Sequence, residues 1–198
     1  MTLTEQQTYI PSLARDRCLA TWQACSSEQR KEGKWWYVQA MRDCCTSAGP
    51  NIDPITVADM AAILSPRVSW TANVRAIGDI VHRGEAAGIL KRSQWGARAI
   101  LDGARIEDIT KGPKVLAFAR ALKGDTEAVV LDVWMWRALD ISEGLARLWS
   151  TYSIAAFGVR LAARRLKVAP RDLQATLWVY QRGLRRVRLE ERRAEFAD

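Results

Sequence analysis

The chain has one histidine, His82, and no two cysteines in a CxxC spacing. A single histidine argues against a histidine-built metal site and against a Ser-His-Asp triad. Cys18, Cys25, Cys44 and Cys45 do not fit one tetrahedral site, because the last two are adjacent. No metal and no cofactor are therefore expected. His82 is expected on a helix surface, and the cysteines as reduced, mostly buried thiols. No apolar run reaches the roughly 18 residues of a membrane span. The first residues, MTLTEQQTYIPSLARDRC, lack the basic-then-apolar pattern of a secretory signal. The expectation is a cytoplasmic protein with no membrane partner. No segment alternates apolar and polar residues as a half-buried strand does, and there is no internal repeat or low-complexity stretch.

What is present reads as helix. Apolar positions recur at helical spacing from Pro11 to Cys25 and from Trp35 to Cys45. SAGPN at 47–51 is a loop, and Asp53 with Pro54 is a helix start. The helix to Leu64 is expected to bury Ile55, Ala58, Ala62 and Ile63, and Ser65-Pro66 breaks it. Further helices are expected from Ser69 to Val81, from Gln94 to Leu101, from Ser142 to Lys167, either as one long helix or broken near Gly158, and from Pro170 to about Gly183. The charged tail to Glu195 is expected to be helical as well. The class is all-α.

A length of 198 residues with 48% hydrophobic composition supports a buried core and excludes wholesale disorder. The formal charge of +8 favours a polyanionic partner, nucleic acid being the usual one, although a basic surface also serves solubility. Arginines crowd the end of the chain (Arg160, Arg164, Arg165, Arg171, Arg182, Arg185, Arg186, Arg188), where Glu190, Glu191 and Glu195 partly offset them.

The densest signal runs from Ile109 to Leu139, ITKGPKVLAFARALKGDTEAVVLDVWMWRAL. Gly112 suits a tight turn and Pro113 the first position of a helix. Val115, Phe118, Ala119 and Leu122 give that helix one apolar face, and Gly124 ends it. The apolar Val129-Val130-Leu131 run leads straight to Asp132, which opens the next helix. Lys114 and Asp132 thus stand at the starts of consecutive helices, 18 residues apart.

This layout resembles the helix-hairpin-helix base-excision DNA glycosylases, with GPKV at 112–115 and LDVWMWRAL at 131–139 similar to their oxoguanine and thymine-glycol branches. The likeness is strongest over 109–139, weaker from Ile55 to Gly183, and leaves the first fifty residues uncovered. It implies two helical lobes with a helix-hairpin-helix motif and a cleft between the lobes. Residues 1–50 would pack with the C-terminal helices of 141–198, and 51–140 would form the other lobe, ending in the hairpin and the catalytic aspartate. It also implies that a monomer binds double-stranded DNA, flips a modified base and leaves an abasic site, with AP-lyase activity where a lysine is the nucleophile. Several relatives carry a four-cysteine iron–sulfur loop after the catalytic domain; no cysteine follows Cys45 here, so that cluster is not expected.

Residue by residue, the resemblance makes Asp132 the carboxylate that stabilises positive charge developing at the anomeric carbon. An aspartate at a helix start is also an N-cap, and the two roles are compatible. Lys114 becomes the nucleophile, which needs a neutral amine; otherwise it is a lysine touching phosphate. Thr110, Gly112 and Val115 fall where the family hairpin presents backbone N–H groups to phosphate, with Thr110 replacing the first of the usual two glycines. Arg67, in LSPRVSW at 64–70, takes the place of the residue that fills the hole left by the flipped base; its alternative is a surface arginine. Of nine tryptophans, Trp134, Trp136 and Trp70 are candidates for a base pocket, Trp134 standing where the family has a histidine. The expected function is excision of a modified base, an oxidised or alkylated one or one of modified phage DNA such as glucosylated hydroxymethylcytosine. Remodelling of modified pyrimidines in phage DNA, and a non-catalytic DNA-binding module, are the alternatives.

Overall fold

The computed structural model describes residues 3–146 and 148–195. Among these there are eleven helices and no strand. They are α1 (Leu3–Ala24), α2 (Ser27–Ala48), α3 (Pro54–Leu64), α4 (Trp70–Arg83), α5 (Lys91–Leu101), α6 (Ile106–Ile109), α7 (Pro113–Leu122), α8 (Val133–Ala138), α9 (Glu143–Ala146), α10 (Trp149–Leu166) and α11 (Pro170–Glu195). The all-α class expected from the sequence is the class observed. The side chains of 185–198, with the last three arginines and the glutamates named above, lie outside the described residues.

The chain divides into two compact units, one formed by residues 1–36 with 129–198 and the other by 37–128. Both divisions differ from those read in the sequence. The first falls inside α2, not in the 47–51 loop. The second falls before the Val129–Leu131 run, not after α8. The reason is packing: Leu131, Met135 and Leu139 are buried in one cluster with Ile10 of α1, Val159 of α10 and Leu173 and Leu177 of α11. Asp132 therefore belongs to the first unit, while Lys114 belongs to the second.

In the first unit α1 lies directly on α10. The buried residues of α10 are mostly small (Ala155, Ala156, Ala162 and Ala163), and at Gly158 the two helices approach closely. A Cβ on Gly158 would stand 2.5 Å from the carbonyl oxygen of Pro11 and 2.7 Å from Cβ of Ala14. Gly158 is thus a contact point within a continuous helix, so of the two alternatives the unbroken helix is the one observed. Pro11 does not open α1 but lies inside it. Likewise α11 runs through Gly183 to Glu195.

In the second unit α3 is the central helix, packed against α4, α5 and α7, and every residue from Val57 to Leu64 is buried. Asp53 caps it, its carboxylate accepting from the amides of Ile55 and Thr56, and Pro54 occupies the first turn. Ile55 corrects an expectation: it is 60% exposed, because the first turn projects before the helix enters the core. Left-handed glycines at Gly84 and Gly124 close α4 and α7. Gln94 holds the loop before α5, accepting from the Ala86 amide and donating to the Ile89 carbonyl.

Candidate functional site

The apolar residues before Asp132 form no strand, so their backbone groups need other partners. Tyr152 of α10 supplies them. Its hydroxyl donates to the Val129 carbonyl at 2.9 Å and accepts from the Leu131 amide at 3.1 Å. Burial pushes the Tyr152 phenol well above its ordinary value, which keeps the donor proton in place. The run is thereby fixed where it hands over to α8.

Asp132 is the N-cap of α8. Its Oδ1 accepts from the amides of Trp134 at 2.9 Å and Met135 at 3.0 Å. Its Oδ2 accepts from the indole N–H of Trp178 at 2.9 Å. Three neutral donors therefore set the direction of one half-buried carboxylate. Trp178, on α11, is itself held between an edge-on Trp36 ring, 5.1 Å between centroids, and the guanidinium of Arg182, 4.5 Å from the ring centre. Neither Tyr152 nor Trp178 was found from sequence. Each acts through one polar atom on a residue 21 or more positions away, and no local pattern marks such a pair.

The two tryptophans flanking Asp132 have different fates. Trp136 packs against the core cluster and meets Tyr152 edge-on, so its ring is part of the interior of this unit. Trp134 is half-buried, with the guanidinium of Arg137 5.0 Å from its ring centre.

In the second unit, the amine of Lys114, near the start of α7, donates to the Ser65 hydroxyl at 3.1 Å. Ser65 ends α3 and bonds back to the Ala62 carbonyl. Arg67 follows two residues later, exposed and in the left-handed region at φ 64°. Bulky residues seldom stay there without a compensating reason. Trp70 opens α4 just beyond and meets Phe118 of α7 edge-on, 6.4 Å between centroids. The structure thus gathers Lys114, Arg67 and Trp70 around the α3–α4 loop and the first turns of α7. Trp70 and Trp134 fall in different units.

In the hairpin between α6 and α7, the amides expected to meet phosphate have partners of their own. The Thr110 amide donates to the Ile106 carbonyl, and the Gly112 amide to the Thr110 hydroxyl at 3.1 Å. The Val115 amide returns to the Gly112 carbonyl. All three expected donors are therefore engaged inside the hairpin. Gly112 has φ −65°, so left-handed freedom is not its purpose. A Cβ there would sit 3.3 Å from the Thr110 hydroxyl, and glycine leaves room for that bond. Lys111, between Thr110 and Gly112, is exposed, and its ammonium donates to the Glu107 carbonyl.

His82 is exposed in the last turn of α4. The four cysteines are free thiols, and burial pushes Cys18 and Cys44 up to about 12, which makes both poor nucleophiles. Among the described residues no cluster of histidine, cysteine and carboxylate side chains could hold a metal ion. No described helix is long and apolar enough to cross a membrane.

No curated protein and no solved structure matches the chain. Residues 3–185 match the domain family described as "Family of unknown function (DUF7178)". That match spans nearly the whole sequence, and the chain belongs to this family.

Proposed function

We propose that the protein is a DNA glycosylase that cleaves the N-glycosidic bond of a flipped, modified base and leaves an abasic site. The observation that supports this most is the fixed carboxylate of Asp132. Base departure makes the sugar electron-poor, and an oriented carboxylate stabilises that charge more in the transition state than in the ground state. Held by two helix-start amides and one indole, Asp132 needs no reorganisation as the charge develops.

Lys114 is the nucleophile in this reading. Its amine forms a bond to the anomeric carbon as the C–N bond to the base breaks, and the base departs with a proton; the bond from the anomeric carbon to the ring oxygen then opens, the oxygen taking the electron pair and a proton, and a protonated imine remains. Elimination at the 3′ side would then nick the strand. A net charge of +8 and the exposed, strained Arg67 support DNA as the partner. The hairpin amides are engaged internally and the Lys111 ammonium donates to the Glu107 carbonyl, so the exposed Arg67 takes the phosphate-contacting role in this reading, with the remaining protons of Lys111 beside it. Modified phage DNA is the proposed substrate class, with an oxidised or alkylated base as the rival.

The experiment is a screen of oligonucleotides and phage genomes carrying different modified bases, scored for abasic sites. Asp132→Asn should abolish product while DNA binding survives. Normal excision by that variant overturns the assignment of Asp132. A borohydride-trapped adduct lost in Lys114→Gln supports the lysine; excision without an adduct assigns the attack to water. Salt-sensitive DNA binding with no base released from any substrate would make the protein a binding module.

A further inference from the structure

The first unit contains a second feature that the excision chemistry does not use. A cavity of about 500 Å³ opens between α2, the α10–α11 turn and the first turns of α11. That volume lies within the range of small-ligand pockets.

Its lining is cationic. Arg30, Lys31 and Lys34 come from one face of α2, and Lys167 from the opposite side. Asp172 is the one carboxylate in the lining, and Arg171 pairs with it. Like charges gathered around one concavity repel each other, so an anion entering it is attracted. Two details show that the cations are positioned. Lys167 is held left-handed at φ 56°, a conformation that glycine adopts more easily, and it lines the cavity. Arg30 lies over the Trp22 ring at 4.9 Å and donates to the Trp22 carbonyl, while its Nε is enclosed without a hydrogen-bond partner.

The cavity also offers an aromatic face. Trp35 lies one turn beyond Lys31 and is 54% exposed, unusual for the largest apolar side chain. The walls are rigid where they meet: a Cβ on Gly33 would stand 2.2 Å from the Thr176 hydroxyl and 2.4 Å from its Cα. Backbone contact of α2 with α11 fixes the spacing of the cations on either side.

We propose that this cavity binds a nucleotide unit, its phosphate among Arg30, Lys31, Lys34 and Lys167 and its base stacked on Trp35. A cationic pocket alone would suit any small anion; the exposed indole beside it selects a phosphorylated planar ring. That chemistry belongs equally to a free mononucleotide and to one residue of a single strand. The inference does not rest on the glycosylase reading, since neither Asp132 nor Trp178 lines the cavity.

The test is calorimetric titration of the intact protein with deoxyadenosine monophosphate, inorganic phosphate, deoxyadenosine and a ten-nucleotide single strand. Binding of the mononucleotide identifies a free-nucleotide site, and binding of the strand alone a strand site; both support the proposal. The Lys31→Gln/Lys34→Gln variant should weaken binding about tenfold or more at low salt. Trp35→Leu should weaken it at least about fivefold, with Trp35→Phe restoring most of the loss. Asp132→Asn should bind as wild type, which separates this site from excision. No binding of mononucleotide or strand overturns the proposal. So does phosphate binding as tightly as the mononucleotide, or binding unchanged in both Lys31→Gln/Lys34→Gln and Trp35→Leu.

Discussion

Trp178 and Asp132 stand 46 residues apart in sequence and 2.9 Å apart through one indole N–H and one carboxylate oxygen. The bond leaves Oδ1 of Asp132 to cap α8 and gives Oδ2 a direction. If Asp132 acts in base excision, Trp178 is a positioning residue for it. Trp178→Phe keeps an aromatic ring against Trp36 but removes the donor. Hydrogen bonds to charged groups contribute about 1.5–3 kcal/mol, so the turnover rate should fall roughly 10- to 100-fold with DNA affinity nearly unchanged. Single-turnover kinetics with a substrate found in the base screen would measure this. A rate equal to wild type would reduce the Trp178 bond to a structural one.

The sequence displayed what is local and hid what is distant. An apolar run ending in an aspartate before a helical pattern marks a cap, and Asp132 is one. Asp53-Pro54 and Gly124 were legible for the same reason: a cap and a stop are set by one or two neighbours. Gly158 left two readings open, because a glycine that interrupts a helix and a glycine that admits another helix look alike without the partner. Pro11, where the helical spacing was read to begin, lies inside α1. The unit boundaries were misplaced because the burial of Met135 and Leu139 depends on α1 and α11, far off in the chain. The bond from Lys114 to Ser65 joins two segments that the sequence presented as separate motifs.

Tyr152→Phe tests how the segment before Asp132 is held. The substitution removes one oxygen and leaves a buried carbonyl at Val129 and a buried amide at Leu131 without that partner. Leaving buried polar groups unsatisfied costs about 1–3 kcal/mol each, while the ring still packs against Trp136. We expect about 2 kcal/mol or more of destabilisation by urea unfolding. Faster amide exchange at Leu131 should accompany it. A loss under about 0.5 kcal/mol would mean that the segment holds without the hydroxyl.

Arg67→Gly separates strain from function. At φ 64° glycine carries no Cβ penalty, so the folded state gains. The unfolded chain gains entropy too, which offsets part of this. The net expectation is a stability equal to wild type or higher by up to about 1 kcal/mol. If Arg67 contacts DNA, affinity should fall and the salt dependence of binding should become shallower. A more stable protein that binds DNA more weakly is the expected pair of outcomes. Unchanged affinity would remove Arg67 from the interface.

Asp59 gives the second unit a pH dependence with a definite sign. It sits in the buried helix α3, and burial holds its carboxyl above the ordinary range, although the Lys123 ammonium at 2.6 Å opposes the shift. As pH rises past the unfolded value of about 4, the unfolded chain loses this proton before the folded one does. The unfolded state then binds fewer protons, so increasing pH favours unfolding until the folded group has also ionised. Asp59→Asn removes this term, so its stability relative to wild type should rise across that window. Lys123→Met does the reverse. It leaves the buried carboxylate without its counter-ion, so its destabilisation should be largest at neutral pH and shrink in acid, where Asp59 is protonated. Urea midpoints of the three proteins at about pH 4 and about pH 7 decide the matter. Parallel profiles for all three would show that the Asp59–Lys123 pair does not titrate with folding.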